Sequence, residues 1–152
     1  MLGTMQKWLI IGALCLSAIV GAVAYQVFSG SQKVDGVEVT WDLLAQLDYI
    51  TGQAGSELKA LDGQMVRVPG FMVPLEDEQQ KVTEFLLVPT PQACIHVPPP
   101  PSNQMVYIKM KNPTSTVYGP LWVHGTLHLT SKKHMYGEAS FELEGVFVEP
   151  YR

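Results

Sequence analysis

"QMVRVPGFMVPLE", residues 64–76, is the stretch whose reading decides the fold. Its apolar residues recur with the period of two that marks a strand. Pro69-Gly70 interrupts it. Proline gives no hydrogen bond to a ladder, and a glycine inside a strand marks a bend or bulge, so a long, bent first strand is expected. The same texture continues beyond it. "KVTEFLLVP" (81–89) reads as a second strand, joined to the first by the acidic turn "EDEQQ" (76–80). "QMVYIKMK" (104–111) makes a third, and "PLWVHGTLHLT" (120–130) a fourth with Leu121, Val123, Leu127 and Leu129 on one face. "EASFELEGVFVEP" (138–150) completes the set, with Phe141, Leu143 and Phe147 pointing one way and Glu142 and Glu144 the other.

A kinked first strand that serves two sheets and runs into a hairpin partner is the opening of many OB-folds. The expected fold is therefore mainly β, a small five-stranded OB-like barrel; the alternative is an open β-sandwich. Helical material precedes the strands. "TWDLLAQLDYI" (40–50) predicts a helix capped by Thr40, with Asp42 in its first turn and Leu43, Leu47 and Ile50 on one face. "GSELKALDG" (55–63) predicts a brief helical turn that ends at Gly63. There is no internal repeat.

The first 28 residues stand apart. Trp8 to Phe28 is 21 residues without a charge, and a bilayer span needs about 20. Ala22-Val23-Ala24 also fits a signal-peptide cleavage site. A signal anchor and a cleaved signal are both open; the anchor is favoured because no polar segment separates the apolar run from the Ala-x-Ala site. Cys15 follows Leu14, where a lipid-attachment signal wants a small residue. Either way Lys7 stays inside and the rest crosses. Residues 29–36, "SGSQKVDG", read as a linker, and 37–152 as a single domain.

Of 10 basic and 14 acidic residues, only Lys7 lies in the leader, so the remainder carries 9 against 14, a net charge of −5. That balance argues against nucleic acid, which needs concentrated positive charge. There is no GxGxxG, Walker loop, GxSxG or HExxH, and no positive sign of an enzyme.

What remains is "QACIHVPPPPSNQ" (92–104). Outside the leader Cys94 is the single cysteine, so it has no internal disulfide partner. It is left to be buried and inert, bound to metal, redox-active, or paired with another chain. In an extended segment Cys94 and His96 lie on one side, about 6.6 Å apart at Cα. Thiolate and imidazole then converge on one ion, Zn(II) or Cu(I). Pro98, Pro99, Pro100 and Pro101 favour a stiff polyproline II segment that preorganises the pair, with Asn103 and Gln104 bonding nearby backbone. His124 is the candidate third ligand. His128, four strand residues on and about 13 Å away, is too far to share an ion with it. The competing readings make Cys94 a small buried hydrophobe with His96 as a loop brace, or make Cys94 a redox or nucleophilic thiol. A third makes Pro98 to Pro101 with Asn103 a partner-binding motif. His134, in "SKKHMYG", and the turn cluster Glu76, Asp77 and Glu78 read as solvated. Met72, Met105 and Met110 read as core.

Taken together, "VTWDLL", "LDGQMVRVPGFMVPLE", "VTEFLLVP", "ACIHVPPPPSNQMVYIKM" and "GVFVEPYR" resemble an uncharacterised bacterial family, domain of unknown function 3299, over roughly residues 37–152. Where that family shows an aromatic-Gly pair before Ala-Cys, this chain has Thr90-Pro91-Gln92. The resemblance implies an exported protein of Gram-negative bacteria, encoded beside an ABC-type ATPase and permease in metal-responsive loci. It supplies no catalytic residues to carry over. The expectation is an exported, non-catalytic binding or accessory protein at the periplasmic face of the inner membrane, or free in the periplasm if the leader is cleaved. Its rival is a structural adaptor that docks on transporter components through the Pro-rich loop and holds no metal.

Overall fold

Pro69 solves its own problem in the observed strand. The computed structural model describes residues 3, 17, 21, 36–78, 80–91, 98 and 100–151. In it β2 (Met65–Pro74) pairs along Met65–Phe71 with β5 (Pro120–His128), then along Phe71–Pro74 with β3 (Val82–Val88). In a strand a residue's N–H and C=O point the same way. The Pro69 carbonyl points at Trp41, whose indole Nε1 donates to it at 2.6 Å. The missing N–H therefore falls on the side held by Trp41 and leaves the ladder to β5 intact. The same edge of β2 is covered nearer its start by β1 (Val37–Glu38), parallel to Val66 and Arg67.

The ring closes through β4 (Val106–Thr114), antiparallel to β3, and β8 (Phe141–Pro150), parallel to β4 and antiparallel to β5. With β2 also paired to β5, the five long strands form a closed barrel. The OB-like barrel is found and the open sandwich is not, because β5 returns to the first half of the bent strand. A two-stranded hairpin, β6 (Lys132–His134) and β7 (Gly137–Ala139), lies between β5 and β8.

The interior follows the period-two pattern. Val66, Val68, Phe85, Leu87, Val106, Ile108, Leu121, Val123, Leu127, Phe141 and Leu143 are all fully buried. Close approach needs glycine at Gly70 and Gly125 among other positions: a Cβ on Gly70 would sit 2.7 Å from the Val88 carbonyl oxygen, and one on Gly125 would collide with the Glu144 backbone.

Two expectations need correction. The helix read over 40–50 is one turn, α1 (Trp41–Leu44), capped as expected by Thr40 Oγ1, which accepts from the Leu43 N–H at 3.4 Å. It stops because Asp48 Oδ1 accepts from the amides of Ile50 (2.9 Å) and Thr51 (3.1 Å), a side-chain turn that competes with the helix. Leu44 and Leu47 face the core, whereas Ile50 is 83% exposed. α2 (Ser56–Ala60) buries Leu58, and Gly63 at φ +75° ends the segment as expected. The second correction concerns Phe147. The β5–β8 register jumps between His124↔Phe147 and Gly125↔Gly145, so Val146 is an extra residue in β8. A one-residue bulge reverses the alternation. Phe141 and Leu143 point inward as read, but Phe147 turns out to solvent and Val148 takes the core side.

β2, β4 and β8 start, and β3 and β5 finish, at one end of the barrel, called here the lower end. The stems 89–91 and 100–105, the α1–α2 segment and the base of the β6–β7 hairpin gather there. The upper end carries the 75–81 and 115–119 turns, linked where Ser115 Oγ donates to the Gln80 carbonyl at 3.5 Å.

The leader and linker expectations fall on residues 1–35, of which only Gly3, Ser17 and Gly21 are described. They lie outside the described residues. Among the described residues no helix is long and apolar enough to cross a membrane.

Candidate functional site

The Cys-x-His loop leaves β3 after Val88 and returns through prolines to a 3-10 turn, Ser102–Gln104. Cys94, His96 and Pro99 lie outside the described residues, so the site is built here from the stems that carry them. Pro98 and Pro101 are exposed and Pro100 is half-buried. Pro101, at φ −60° and ψ 154°, has the polyproline II geometry expected of the run.

The return stem is clamped. Asn103 is buried, and its amide Nδ2 donates to the carbonyls of Leu47 (2.9 Å) and Ala45 (3.2 Å). These are carbonyls left unpaired where α1 stops. Asn103 was expected to serve the proline backbone or a partner; among the described residues its amide serves the segment that follows α1. Ser140 adds two more bonds, its amide donating to the Ser102 carbonyl at 2.9 Å and its hydroxyl to Ser102 Oγ at 2.9 Å. The stem therefore joins α1, the start of β4 and the start of β8. Neither Ser102 nor Ser140 carried a sequence signal.

Outside the barrel wall beneath the loop stems lies a second apolar cluster: Leu86, Val88, Met105, Tyr107 and Ala139, bordered by Phe71, Val73 and Leu75. It buries β3 on both faces from Phe85 to Val88. The β6–β7 hairpin shelters it, with Lys132 Nζ 5.4 Å from the centre of the Tyr107 ring. Burial first, then the Glu84 carboxylate, holds the Tyr107 phenol well above its usual range, so it stays a neutral donor. Met105 and Met110 are core residues and Met72 packs against the core, as read.

The histidines divide. His134 was expected to be solvated, but it belongs to β6. Its Nδ1 accepts from the Tyr136 amide at 3.2 Å, and its Nε2 is buried without a hydrogen-bond partner. Desolvation pushes its pKa down. His124 is buried on the outer face of β5, with Nε2 3.0 Å from Glu149 Oε1 and Phe147 tilted over it at 5.7 Å. His128 Nδ1 lies 3.9 Å from Asp62 Oδ1. Since the loop ligands lie outside the described residues, so does any geometry joining them to His124. Among the described residues no three of His, Cys, Asp or Glu gather closely enough to hold a metal.

Of the acidic turn, Glu76 has a structural task. It accepts from the amide of Thr83 at 2.8 Å and from its hydroxyl, which holds its carboxyl below the usual range. Asp77 and Glu78 are exposed, as expected. The outer face of β2, β5 and β8 carries a self-paired ladder: Arg67 bonds Glu38 at 2.8 Å and lies 4.7 Å over Trp122, which stacks on Tyr151 at 5.1 Å. A groove of about 330 Å³ opens at the lower end, between Leu47, Gly52, Ala54 and Lys59 on one side and Leu129, Ser131 and Ser140 on the other. Asp62 completes it.

Comparison with known proteins adds three findings. A family model described as a protein of unknown function, DUF3299, matches residues 46–150. The crystal structure of a DUF3299 family protein from Pseudomonas aeruginosa is similar, with a TM-score of 0.60 and 36% sequence identity over 77% of this chain and 97% of that one. No curated protein matches.

Proposed function

We propose, for a chain that belongs to the DUF3299 family, an exported, non-catalytic binding domain that takes up a transition-metal ion through Cys94 and His96. One observation carries the reading: the return stem of the Cys94–His96 loop is locked, just before it enters β4, to the end of α1 through Asn103 and to the start of β8 through Ser102 and Ser140. A partner-free loop has little need of such a clamp. A ligand loop gains from it, because each freedom removed beforehand is one that binding need not remove. A thiolate beside an imidazole suits Zn(II) or Cu(I), and both groups must shed protons to coordinate, so affinity falls as pH falls. The domain works on the periplasmic side of the inner membrane, held there by residues 8–28 or released by cleavage after Ala24, and serves ABC-type transporter components.

The test is a competition titration of the full chain with a chromophoric chelator, alongside native mass spectrometry. Cys94→Ser should abolish tight Zn(II) or Cu(I) binding. Asn103→Ala, which keeps both ligands but frees the stem, should weaken binding by roughly tenfold, as loss of a supporting contact does at metal sites. Affinity unchanged by Cys94→Ser, or no affinity in the parent chain, overturns the metal reading and leaves a transporter-docking adaptor. A reporter active only outside the cytoplasm, fused after Arg152, should be active; activity of a cytoplasm-only reporter there overturns export.

A further inference from the structure

The groove at the lower end holds a cation and an anion that do not hold each other. Lys59, in α2, and Asp62 line it three residues apart, a spacing at which opposite charges on one turn can pair. Elsewhere on the surface such charges do pair, Arg67 with Glu38 and Lys111 with Glu144. In the groove Asp62 is committed elsewhere. Its Oδ1 accepts from the Leu129 amide at 3.0 Å and lies 3.9 Å from His128 Nδ1. Its Oδ2 takes no hydrogen bond from a described residue, and Lys59 makes no ion pair with one.

The groove also has apolar walls. Leu47 and Ala54 come from the α1–α2 segment, and Leu129 follows β5 on the other side, with the Ser131 hydroxyl beyond it. The volume, about 330 Å³, is at the small end of the range for small-molecule sites, roughly 300–1,000 Å³. A ligand charged at one end only would leave the opposite charge of the groove facing water or facing it. A small ligand with both charges and one apolar group matches the cation, the anion and the walls together.

We propose that this groove binds an apolar α-amino acid in its zwitterionic form. The Lys59 ammonium takes the carboxylate, Asp62 Oδ2 takes the ammonium, and the side chain lies against Leu47, Ala54 and Leu129. The Leu129 amide fixes Asp62 beforehand, so that half of the site loses little freedom on binding. Neither Cys94 nor His96 takes part.

The test is a titration of the full chain, labelled with 13C in its leucine and alanine methyl groups, with unlabelled L-leucine. EDTA is present throughout, so the result does not depend on the metal reading. The methyl signals of Leu47, Ala54 and Leu129 should shift saturably, and those of Leu87 and Leu121, inside the barrel, should not. N-acetyl-leucine, which lacks the ammonium, and leucine amide, which lacks the carboxylate, should each bind about fivefold more weakly, the upper end for an exposed ion pair. The two variants should sort the analogues. Lys59→Gln should weaken leucine and N-acetyl-leucine about fivefold and leave leucine amide unchanged. Asp62→Asn keeps an oxygen for the Leu129 amide; it should weaken leucine and leucine amide and leave N-acetyl-leucine unchanged. No saturable shift at Leu47, Ala54 and Leu129, or equal shifts at Leu87 and Leu121, overturns the site. Equal affinity for leucine and both analogues, or variants that weaken all three alike, overturns the zwitterion.

Discussion

Filling the space at Gly70 tests the barrel where it closes. Gly70 is the residue before Phe71, the single position in β2 paired with both β5 and β3. A Cβ there would stand 2.7 Å from the Val88 carbonyl oxygen and 2.8 Å from Leu87 Cγ. Ordinary contact begins at 3.4 Å, so β3 must withdraw by about 0.7 Å, and the first obstacle is backbone rather than a yielding side chain. Overpacking a close-packed site costs about 1–3 kcal/mol. Gly70→Ala should therefore lose about 2 kcal/mol and Gly70→Val about twice that, near the upper limit for single substitutions. Gly55→Ser is the control. Gly55 is the N-cap of α2 at φ −62°, its added Cβ would meet only Gln46 Oε1 at 3.4 Å, and serine caps at least as well as glycine. Its effect should stay within about 0.5 kcal/mol. Urea unfolding followed by the fluorescence of Trp41 and Trp122 measures both, provided the slope is unchanged. A loss under about 1 kcal/mol for Gly70→Val would refute the close approach and the bent-strand closure built on it.

Three further outcomes are expected. Asn103→Ala strands the buried Leu47 carbonyl and frees the part-buried Ala45 carbonyl, and should lower the unfolding free energy by about 1–3 kcal/mol in the same urea assay. The folded His134 pKa lies below its unfolded value, so the unfolded chain takes up the proton first; stability should fall as pH drops below about 6.5, and His134→Gln should flatten that slope between about pH 7.5 and 5.5. Glu76 is likewise depressed, by the Thr83 hydroxyl first, but as an acid it contributes above its unfolded pKa and loses that contribution in acid. Thr83→Val should therefore reduce the stability lost between about pH 5 and pH 3, read from urea midpoints.

β2, β4, β5 and the first half of β8 were legible because each shows its core face at period two, and β3 because Phe85 to Val88 form a short continuous apolar run. Closure was legible only through Pro69-Gly70, since the β2–β5 and β4–β8 pairings join residues far apart in sequence. Two local features escaped. "GVFV" (145–148) is apolar in either phase, so nothing in it reveals that Val146 is the extra residue and that Phe147 faces out. The hairpin in "SKKHMYGEA" has three-residue strands, too short for a period; its one usable sign was Gly137, which adopts φ +135° at the turn.

Site residues were legible as chemical types and illegible as neighbours. Asn103 was visible as an amide after prolines, but its acceptors lie 56 and 58 residues away, and they are open only because Asp48 ends α1 early. His124 and His134 looked alike in sequence. Register separates them: the Val146 bulge sets Phe147 and Glu149 against His124, while His134 keeps one buried nitrogen unsatisfied. The same contrast holds between surfaces. On the outer face of β2, β5 and β8, Arg67 already holds Glu38 and Trp122, Trp122 holds Tyr151, and His124 holds Glu149. A ligand there must break an existing pair before it forms a new one. At the lower end a groove stands open, apolar tips face water, and a clamped stem carries the Cys-x-His loop. That open groove beside the clamped stem is why the proposed binding is assigned to that end of the barrel.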